Sequence, residues 1–137
     1  MTLLCFQMPS MLDDVDPMVV TLASHVESVL EVEARFRFQL SVSEALTNLV
    51  IHAKTDAKDA VIDIRLTLGK GRVSIEIFDP TGAAPFDIRA HAPHLSLVDP
   101  TLESGRGLGL IMECADSLDY SPSADQNRLK LDFLERP

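Results

Sequence analysis

Apolar residues recur at helical spacing in two separate parts of the chain. Asp16-Pro17 is typical of a helix start, with Asp as the N-cap and Pro as the first helical residue. A second helix is predicted from about Phe36 or Phe38 to Ala53, because its apolar residues repeat with a period of 3.6. The stripe of the first helix contains Val19, Leu22, Ala23, Val26, Val29 and Leu30, and that of the second contains Val42, Ala45, Leu46, Leu49, Val50 and Ala53. Each helix therefore has one side to bury.

Alternation of apolar and polar residues predicts a β-hairpin after these helices. Apolar residues occupy positions 62, 64, 66 and 68, Gly69-Lys70-Gly71 supplies a turn, and positions 73, 75 and 77 continue the pattern. A second strand pair is predicted at Leu118 to Ser121 and at 129–133, with an edge strand at Leu3 to Met8. A third helix is predicted to open at Gly105 to Gly109. The hairpin thus has one buried face for the helices to cover.

Composition changes this picture mainly by excluding classes of function. A chain of 137 residues, 46% apolar and 24% charged, has the balance of one ordinary globular domain spanning 1–137. The formal net charge of −9 repels phosphate backbones, so a nucleic-acid role is not expected. No apolar run approaches the length of about 18 residues that spans a bilayer, and Met1 to Pro9 lacks the features of a secretory signal. We expect no membrane association and a cytoplasmic location.

Three polar residues on the second helix form the most informative feature. Glu44, Asn48 and His52 are spaced i, i+4 and i+8, which places them within an arc of about 80°. Taken alone, such a face can simply be solvated. Leu40 and Ile51 project close to the same arc, however, so the three polar residues are predicted to line a cleft. An Asn oxygen there suits Mg²⁺, and a carboxylate one turn earlier can accept a proton from an attacking hydroxyl.

Two further segments have residues suited to nucleotide binding. Gly105-Arg106-Gly107-Leu108-Gly109 precedes an apolar helix, where glycines and a helix N-terminus favour phosphate, although such turns also serve as flexible connections. Asp79 ends the second hairpin strand and is followed by Pro80-Thr81-Gly82. This Asp either caps the turn or accepts a hydrogen bond from an exocyclic amine such as that of adenine. The irregular stretch between these segments is long enough to be a functional lid or a disordered segment.

The segment Glu44-Ala45-Leu46-Thr47-Asn48-Leu49-Val50-Ile51-His52-Ala53 resembles the N-box of the GHKL ATPase superfamily. The resemblance is closest to the anti-sigma-factor serine/threonine kinases and covers about Phe38 to Tyr120. It implies that Glu44 is the catalytic base and Asn48 the Mg²⁺ ligand, with His52 in a supporting role. Asp79 is similar to the aspartate that recognises adenine.

The same resemblance identifies two glycine boxes and a lid. The second box is represented by Gly105, Gly107 and Gly109, with Leu108 and Arg106 between them, and its amides would hold the phosphates. In the first box the glycine usually stands two residues after the aspartate, whereas here Gly82 is displaced by one position. Residues 88–104 would be the ATP lid. The implied nucleotide-binding set is Asn48, His52, Asp79, Gly82, Gly105, Arg106, Gly107, Leu108 and Gly109.

The resemblance also implies a fold and a function. The expected fold is a two-layer α/β (α+β) sandwich of the Bergerat type, in which three helices cover one face of a mixed sheet. The expected activity is ATP- and Mg²⁺-dependent phosphorylation of a serine or threonine on a STAS-type anti-sigma-factor antagonist, with a sigma factor as a further partner and a homodimer as a possible assembly. Two alternatives stay open at this point: a nucleotide-dependent binding switch without phosphoryl transfer, and an interaction domain that binds no nucleotide.

Overall fold

The computed structural model describes residues 1–52, 60–80, 111, 113–121 and 127–135. The helices and strands in these ranges are β1 (Thr2–Pro9), a short 3-10 helix (Leu12–Asp14), α1 (Val15–Val26), α2 (Val32–His52), β2 (Val61–Gly69), β3 (Arg72–Phe78), β4 (Ser117–Ser121) and β5 (Arg128–Leu134). The hairpin, the second strand pair and the edge strand predicted from alternation are all present.

The strands form one five-stranded sheet in the order β1-β2-β3-β5-β4. Every pairing between the described strands is antiparallel, so the expectation of a mixed sheet was wrong for this part of the chain. The path of the chain explains the difference. Two helices lie between β1 and β2 in sequence. The first leads the chain away from the end of β1, and the second brings it back to that end. β2 therefore begins where β1 ends, with Val61 opposite Pro9. The two-layer α+β arrangement itself is confirmed.

Both described helices begin earlier than their apolar stripes indicated. α1 begins at Val15, with Asp14 as its N-cap, so the assignment of Asp16 as the N-cap was wrong. α2 begins at Val32, at least four residues before the predicted start. The reason is exposure: Val32 and Phe36 are 70% and 61% exposed, so this first turn adds no residue to the buried stripe except Ala34.

The core lies between the helices and one face of the sheet. Ile62, Ile64 and Leu66 of β2 and Val73, Ile75 and Ile77 of β3 point into it and are almost completely buried. Phe38 of α2 meets Phe133 of β5 edge to face, with ring centroids 5.2 Å apart. This geometry is favourable for aromatic pairs and holds α2 against β5.

The opposite face of the sheet is polar and cross-linked by side-chain hydrogen bonds. Arg128 of β5 bonds Glu76 of β3 at 2.8 Å and Asp119 of β4 at 2.9 Å. Arg65 of β2 lies over the ring of Phe78, 5.1 Å from its centroid. Because the charged groups on this face are matched, the sheet needs no second layer of helices to cover it.

The chain becomes helical again before β4. Ile111, Glu113 and Cys114 have helical conformation, and Ile111 is completely buried in the core. They lie where the third helix was predicted, whereas the glycine segment that would open this helix lies outside the described residues. No helix in the described ranges combines the length and apolarity needed to cross a membrane.

Arg37 is a buried cation within α2 that the apolar pattern did not reveal. Its guanidinium bonds Glu33 at 2.8 Å, Asp116 at 3.0 Å, and the backbone carbonyls of Cys114 and Leu134 at 3.1 Å each. The residue is only 7% exposed. The Arg37 side chain thereby joins α2 to three places in the chain. They are the helical segment that ends at Cys114, the residue just before β4, and the end of β5.

Candidate functional site

The three polar residues of α2 lie in a gradient of burial. Asn48 is 3% exposed, Glu44 is half-buried and His52, at the end of the helix, is exposed. The predicted cleft position therefore fits Asn48 and Glu44. His52 lies at its rim, where it can meet solvent or a ligand but does not line a buried pocket.

Asn48 is buried among residues of the hydrophobic core. Its neighbours on the helix, Ala45 and Leu49, belong to the core cluster. The amide nitrogen of Asn48 has no hydrogen-bond partner among the described residues. An unsatisfied buried donor costs about 1 to 3 kcal/mol, and a ligand or ion that accepts its hydrogen bond is one explanation for such a group in a native protein. The Oδ1 of Asn48 is the kind of neutral oxygen ligand that Mg²⁺ accepts, and its N–H can donate to a phosphate oxygen.

Asp79 lies immediately after β3 and is 2% exposed. The side-chain amide of Asn127 donates to Asp79 Oδ2 at 3.0 Å, and the backbone N–H of Asp79 donates to the carbonyl of Asn127 at 3.0 Å. Asn127 is itself 2% exposed. These two contacts hold the carboxylate in a fixed direction at the junction of β3 and β5.

Burial raises the pKa of Asp79 from its ordinary value of 3.8 to about 6, and the hydrogen bond from Asn127 offsets part of that rise. Desolvation disfavours the charged carboxylate, whereas the donated N–H stabilises it. Asp79 is consequently an anion at neutral pH but takes up a proton in mildly acidic solution. A buried carboxylate of this kind is a strong acceptor for a ligand N–H.

The connectivity places α2 and Asp79 at the same end of the molecule. β2 begins at Val61, nine residues after the last residue of α2, and its Asp63 lies opposite Phe78 at the end of β3. The C-terminal half of α2, which contains Asn48 and His52, therefore lies toward the end of the sheet at which Asp79 follows β3. β5 also begins there, since Arg128 pairs with Phe78.

The remaining predicted site residues lie outside the described part of the chain. They are Gly82, Gly105, Arg106, Gly107, Leu108 and Gly109, together with the proposed lid at 88–104. Their roles stay predictions from the sequence.

Sequence patterns did not single out Asn127. It stands 48 residues after Asp79, between the two strands predicted at Leu118 to Ser121 and at 129–133 and directly before the alternating pattern of β5. The one available signal was the position of a polar residue just before an inner strand and opposite the end of the neighbouring strand. Using that signal requires the strand order, because β5 rather than β4 is the neighbour of β3.

We expect the stability of the protein to depend on pH through Asp79. Its folded pKa of about 6 exceeds the ordinary value of 3.8, so between these values the folded state binds more protons than the unfolded state. The free energy of unfolding of the wild type, relative to Asp79→Asn, should therefore fall as pH rises from about 4 to about 6, by on the order of 2 to 3 kcal/mol. Urea unfolding of both proteins at half-unit pH steps measures this difference.

Asp132 supplies an internal control for the same experiment. Burial raises its pKa, but hydrogen bonds from Ser74, Ser117 and Arg72 outweigh that effect, so the pKa is lowered overall. Its contribution to stability is lost only as pH falls below about 4. The effect of Asp132→Asn should be constant between pH 4.5 and 7. A constant difference for Asp79→Asn as well would contradict the raised pKa.

Comparisons with known proteins agree with the fold. Residues 8–133 match the family described as Histidine kinase-like ATPase domain. The serine/threonine-protein kinase BtrW of Bordetella bronchiseptica is 36% identical over 107 residues, which are 76% of this chain and 75% of that protein.

Two solved structures share the fold at 15% sequence identity. The crystal structure of the RsbU and RsbW domains of Rv1364c from Mycobacterium tuberculosis superposes with a TM-score of 0.67, covering 100% of this chain and 34% of that chain. The histidine kinase domain from the Erythrobacter litoralis EL346 blue-light activated histidine kinase gives 0.55, covering 92% of this chain and 61% of that chain. This chain thus spans about a third and about three fifths of these two chains, and the likeness concerns the fold alone.

The matched range of 8–133 contains α2 with Glu44 and Asn48, and also Asp79 and Asn127. Because the match extends over most of the sequence and is joined by 36% identity to a kinase over three quarters of both chains, this chain belongs to the histidine kinase-like ATPase family, the GHKL superfamily whose N-box it resembles.

Proposed function

We propose that this chain is a serine/threonine protein kinase that uses ATP and Mg²⁺ to phosphorylate a small STAS-type anti-sigma-factor antagonist. The observation that carries the proposal is the pairing of half-buried Glu44 with buried Asn48 on α2, toward the end of the sheet that holds buried Asp79. The identity of 36% to a serine/threonine-protein kinase supports the same chemistry. A sigma factor is the further partner in this proposal, and the cytoplasm its location.

Asp79 would recognise the adenine base. Its carboxylate is directed by Asn127, which occupies Oδ2 through a hydrogen bond of 3.0 Å. A carboxylate has acceptor capacity beyond one such bond, so it can also accept from the exocyclic amine of adenine. Guanine presents an oxygen rather than an amine at the corresponding position, and two oxygens facing each other in a buried site would repel. The fixed carboxylate therefore favours ATP over GTP.

Asn48 and Glu44 would act on the phosphates and on the acceptor hydroxyl. Asn48 would hold Mg²⁺, which would neutralise charge on the phosphates. Glu44 lies one helical turn earlier, about 6 Å along the axis, which separates the proton acceptor from the cation ligand by roughly the span of a phosphoryl group. Glu44 would receive the proton of the attacking serine or threonine hydroxyl.

The glycine segment would hold the phosphates through backbone N–H groups. In this proposal Gly105, Gly107 and Gly109 allow the backbone to approach the nucleotide, and the helix that follows adds its positive end. Arg106 and Leu108 stand between them, and the segment 88–104 would close over the bound nucleotide. Phosphoryl transfer in such a site depends on positioning and charge stabilisation.

Isothermal titration with ATP and ADP, each with and without Mg²⁺, tests the nucleotide site directly. We expect saturable binding of ATP that is strengthened by Mg²⁺ in the wild type. Asp79→Asn should weaken ATP binding at least about tenfold, because a neutral amide replaces the charged acceptor. Asp63→Asn removes one carboxylate near the same end of the sheet and serves as the matched control, with an expected change below about twofold. Absence of binding at millimolar ATP would overturn the proposal.

A further inference from the structure

Asp79 and Asn127 continue the ladder of residue pairs between β3 and β5. That ladder pairs Ile77 with Leu129, and the same register places residue 79 opposite residue 127. Ile77 and Leu129 belong to the core cluster, so alternation directs the side chains two residues further along to the same face of the sheet. The core face thus ends, beside the proposed nucleotide site, in a carboxyl group opposite an amide.

The two side chains of this cross-strand pair are buried together. Each residue is 2% exposed. Nδ2 of Asn127 donates to Oδ2 of Asp79 at 3.0 Å, and the backbone N–H of Asp79 donates to the carbonyl of Asn127 at 3.0 Å. Burial favours the neutral acid over the carboxylate, whereas a donated N–H favours the carboxylate. Asn127 therefore supports a charge that the surroundings of Asp79 disfavour.

The charged side chains near this end of the sheet do not take over that task. Those of the neighbouring strands lie on the outer face, away from the core: Asp63, Glu76 and Arg128. On α2, Glu44 is half-buried and His52 is exposed. Among the described residues, burial and the hydrogen bond from Asn127 are what moves the pKa of Asp79.

The protonation state of Asp79 decides which purine it can recognise. An ionised carboxylate only accepts hydrogen bonds, so it matches the exocyclic amine of adenine. A protonated carboxyl group can donate, so it matches the oxygen that hypoxanthine and guanine have in place of that amine. A residue that favours the ionised form of Asp79 therefore also favours adenine.

We propose that Asn127 is a positioning residue that determines base specificity, because its amide keeps the Asp79 carboxylate ionised and directed to accept the amine of adenine. The inference rests on the proposed function, in which Asp79 binds the base of ATP. Asn127 acts through Asp79 and makes no contact of its own with the nucleotide in this proposal. Selectivity for ATP is then a property of the cross-strand pair.

NMR titration of the Asp79 carboxyl carbon, in the full-length chain without nucleotide, tests whether Asn127 keeps Asp79 ionised. Asp79→Asn identifies the signal. Asn127→Leu keeps the approximate size of the side chain but cannot donate a hydrogen bond. The pKa of Asp79 is about 6 in the wild type and should rise to about 7 or higher in this variant, because a charge-assisted hydrogen bond is lost.

Gln7→Leu is the matched control for the lost amide. Gln7 donates to Asp63 at 2.9 Å, which is the same kind of bond at an exposed position of the same sheet. Its removal should leave the pKa of Asp79 and the base preference unchanged. Asn127→Ala removes the donor without adding apolar bulk, so agreement with Asn127→Leu excludes a packing effect. Thermal unfolding confirms that each variant is folded.

The ratio of the dissociation constants of inosine triphosphate and ATP, measured between about pH 6 and pH 8, tests base selection. Both nucleotides carry the same triphosphate, so its titration cancels in the ratio. At pH 7 the protonated form of Asp79 should increase from about one molecule in ten to about one in two, for pKa values of about 6 and about 7. The preference for ATP at pH 7 should therefore fall about tenfold in Asn127→Leu and return at about pH 8. Structural damage alone would weaken both nucleotides without displacing this curve along the pH axis.

A pKa of Asp79 that stays at about 6 in both Asn127 variants would overturn the inference. So would a preference for ATP that neither variant changes, and in both cases ATP binding by the wild type would leave the proposed nucleotide site standing. A wild type that binds neither nucleotide would overturn the role in base selection together with the proposed function. The nucleotide-free titration would still decide whether Asn127 keeps Asp79 ionised.

Discussion

Replacing Glu44 with glutamine is expected to lower phosphoryl transfer about 100-fold or more while changing ATP affinity by less than about twofold. A positioned general base contributes roughly 10²- to 10⁴-fold to rate, and an amide cannot accept the hydroxyl proton. Glutamine keeps the length and shape of the side chain on a half-buried face of α2. Ground-state binding through Asn48 and Asp79 should therefore be retained, and the loss should appear in kcat rather than in the ATP dissociation constant.

The measurement is single-turnover transfer of the γ-phosphate of ATP to a serine-bearing STAS-type protein, with ATP affinity measured in parallel by titration. Glu27→Gln makes the same chemical change at a residue whose side chain is 62% exposed, and it should leave both quantities unchanged. Equal transfer by Glu44→Gln and the wild type would contradict the assignment of Glu44. ATP binding without transfer by the wild type would favour a nucleotide-dependent switch.

The sheet was predictable because its strands are buried on one face only. Alternation in β2 and β3 places every second side chain in the core, and Gly71, with a φ of 65°, adopts the backbone conformation that the tight turn requires. The start of α2 was not predictable in the same way. Val32 and Phe36 are apolar but exposed, so they contribute nothing to a periodic buried stripe. Periodicity marks where a helix packs, rather than where it begins.

The site shows the same division between local and long-range information. Glu44, Asn48 and His52 are four residues apart on one helix, so helical geometry alone groups them. The contact between Asn127 and Asp79 joins residues 48 positions apart and depends on β5 lying beside β3. No local pattern contains that neighbourhood. The partial exposure of the helix face, from buried Asn48 to exposed His52, likewise follows from packing rather than from spacing.

Arg37 shows how a helical wheel misleads when a charge is satisfied internally. Drawn from Val32, the wheel places Arg37 within about 60° of Ala34 and within about 40° of Ser41, both of which are almost completely buried. A charged residue near a buried arc is ordinarily assigned to the solvent side. Here its partners come from other elements: Asp116 and the carbonyls of Cys114 and Leu134.

Replacing Arg37 with alanine is expected to lower the free energy of unfolding by about 3 to 5 kcal/mol, because removing one member of a buried ion pair leaves the other charge without compensation. The carboxylate of Asp116 would retain the backbone N–H of Leu134, at 2.7 Å, but lose its cation. The buried carbonyl of Cys114 and the partly buried carbonyl of Leu134 would also lose this donor. Urea unfolding of the wild type and the variant measures the change.

Arg35→Ala provides the matched comparison on the same helix. Arg35 approaches Glu27 only at 4.0 Å, and the side chains of Arg35 and Glu27 are 29% and 62% exposed, so removal of Arg35 should cost less than about 1 kcal/mol. Equal costs for the two variants would mean that Arg37 contributes through the packing of its aliphatic stem instead of its charge. The guanidinium of Arg37 also donates to the carbonyl of Cys114, which ends the helical segment that follows the glycine box. We therefore expect Arg37→Ala to weaken ATP binding as well. Arg35→Ala should leave that binding unchanged, which separates a specific link between the Arg37 network and the nucleotide site from general loss of stability.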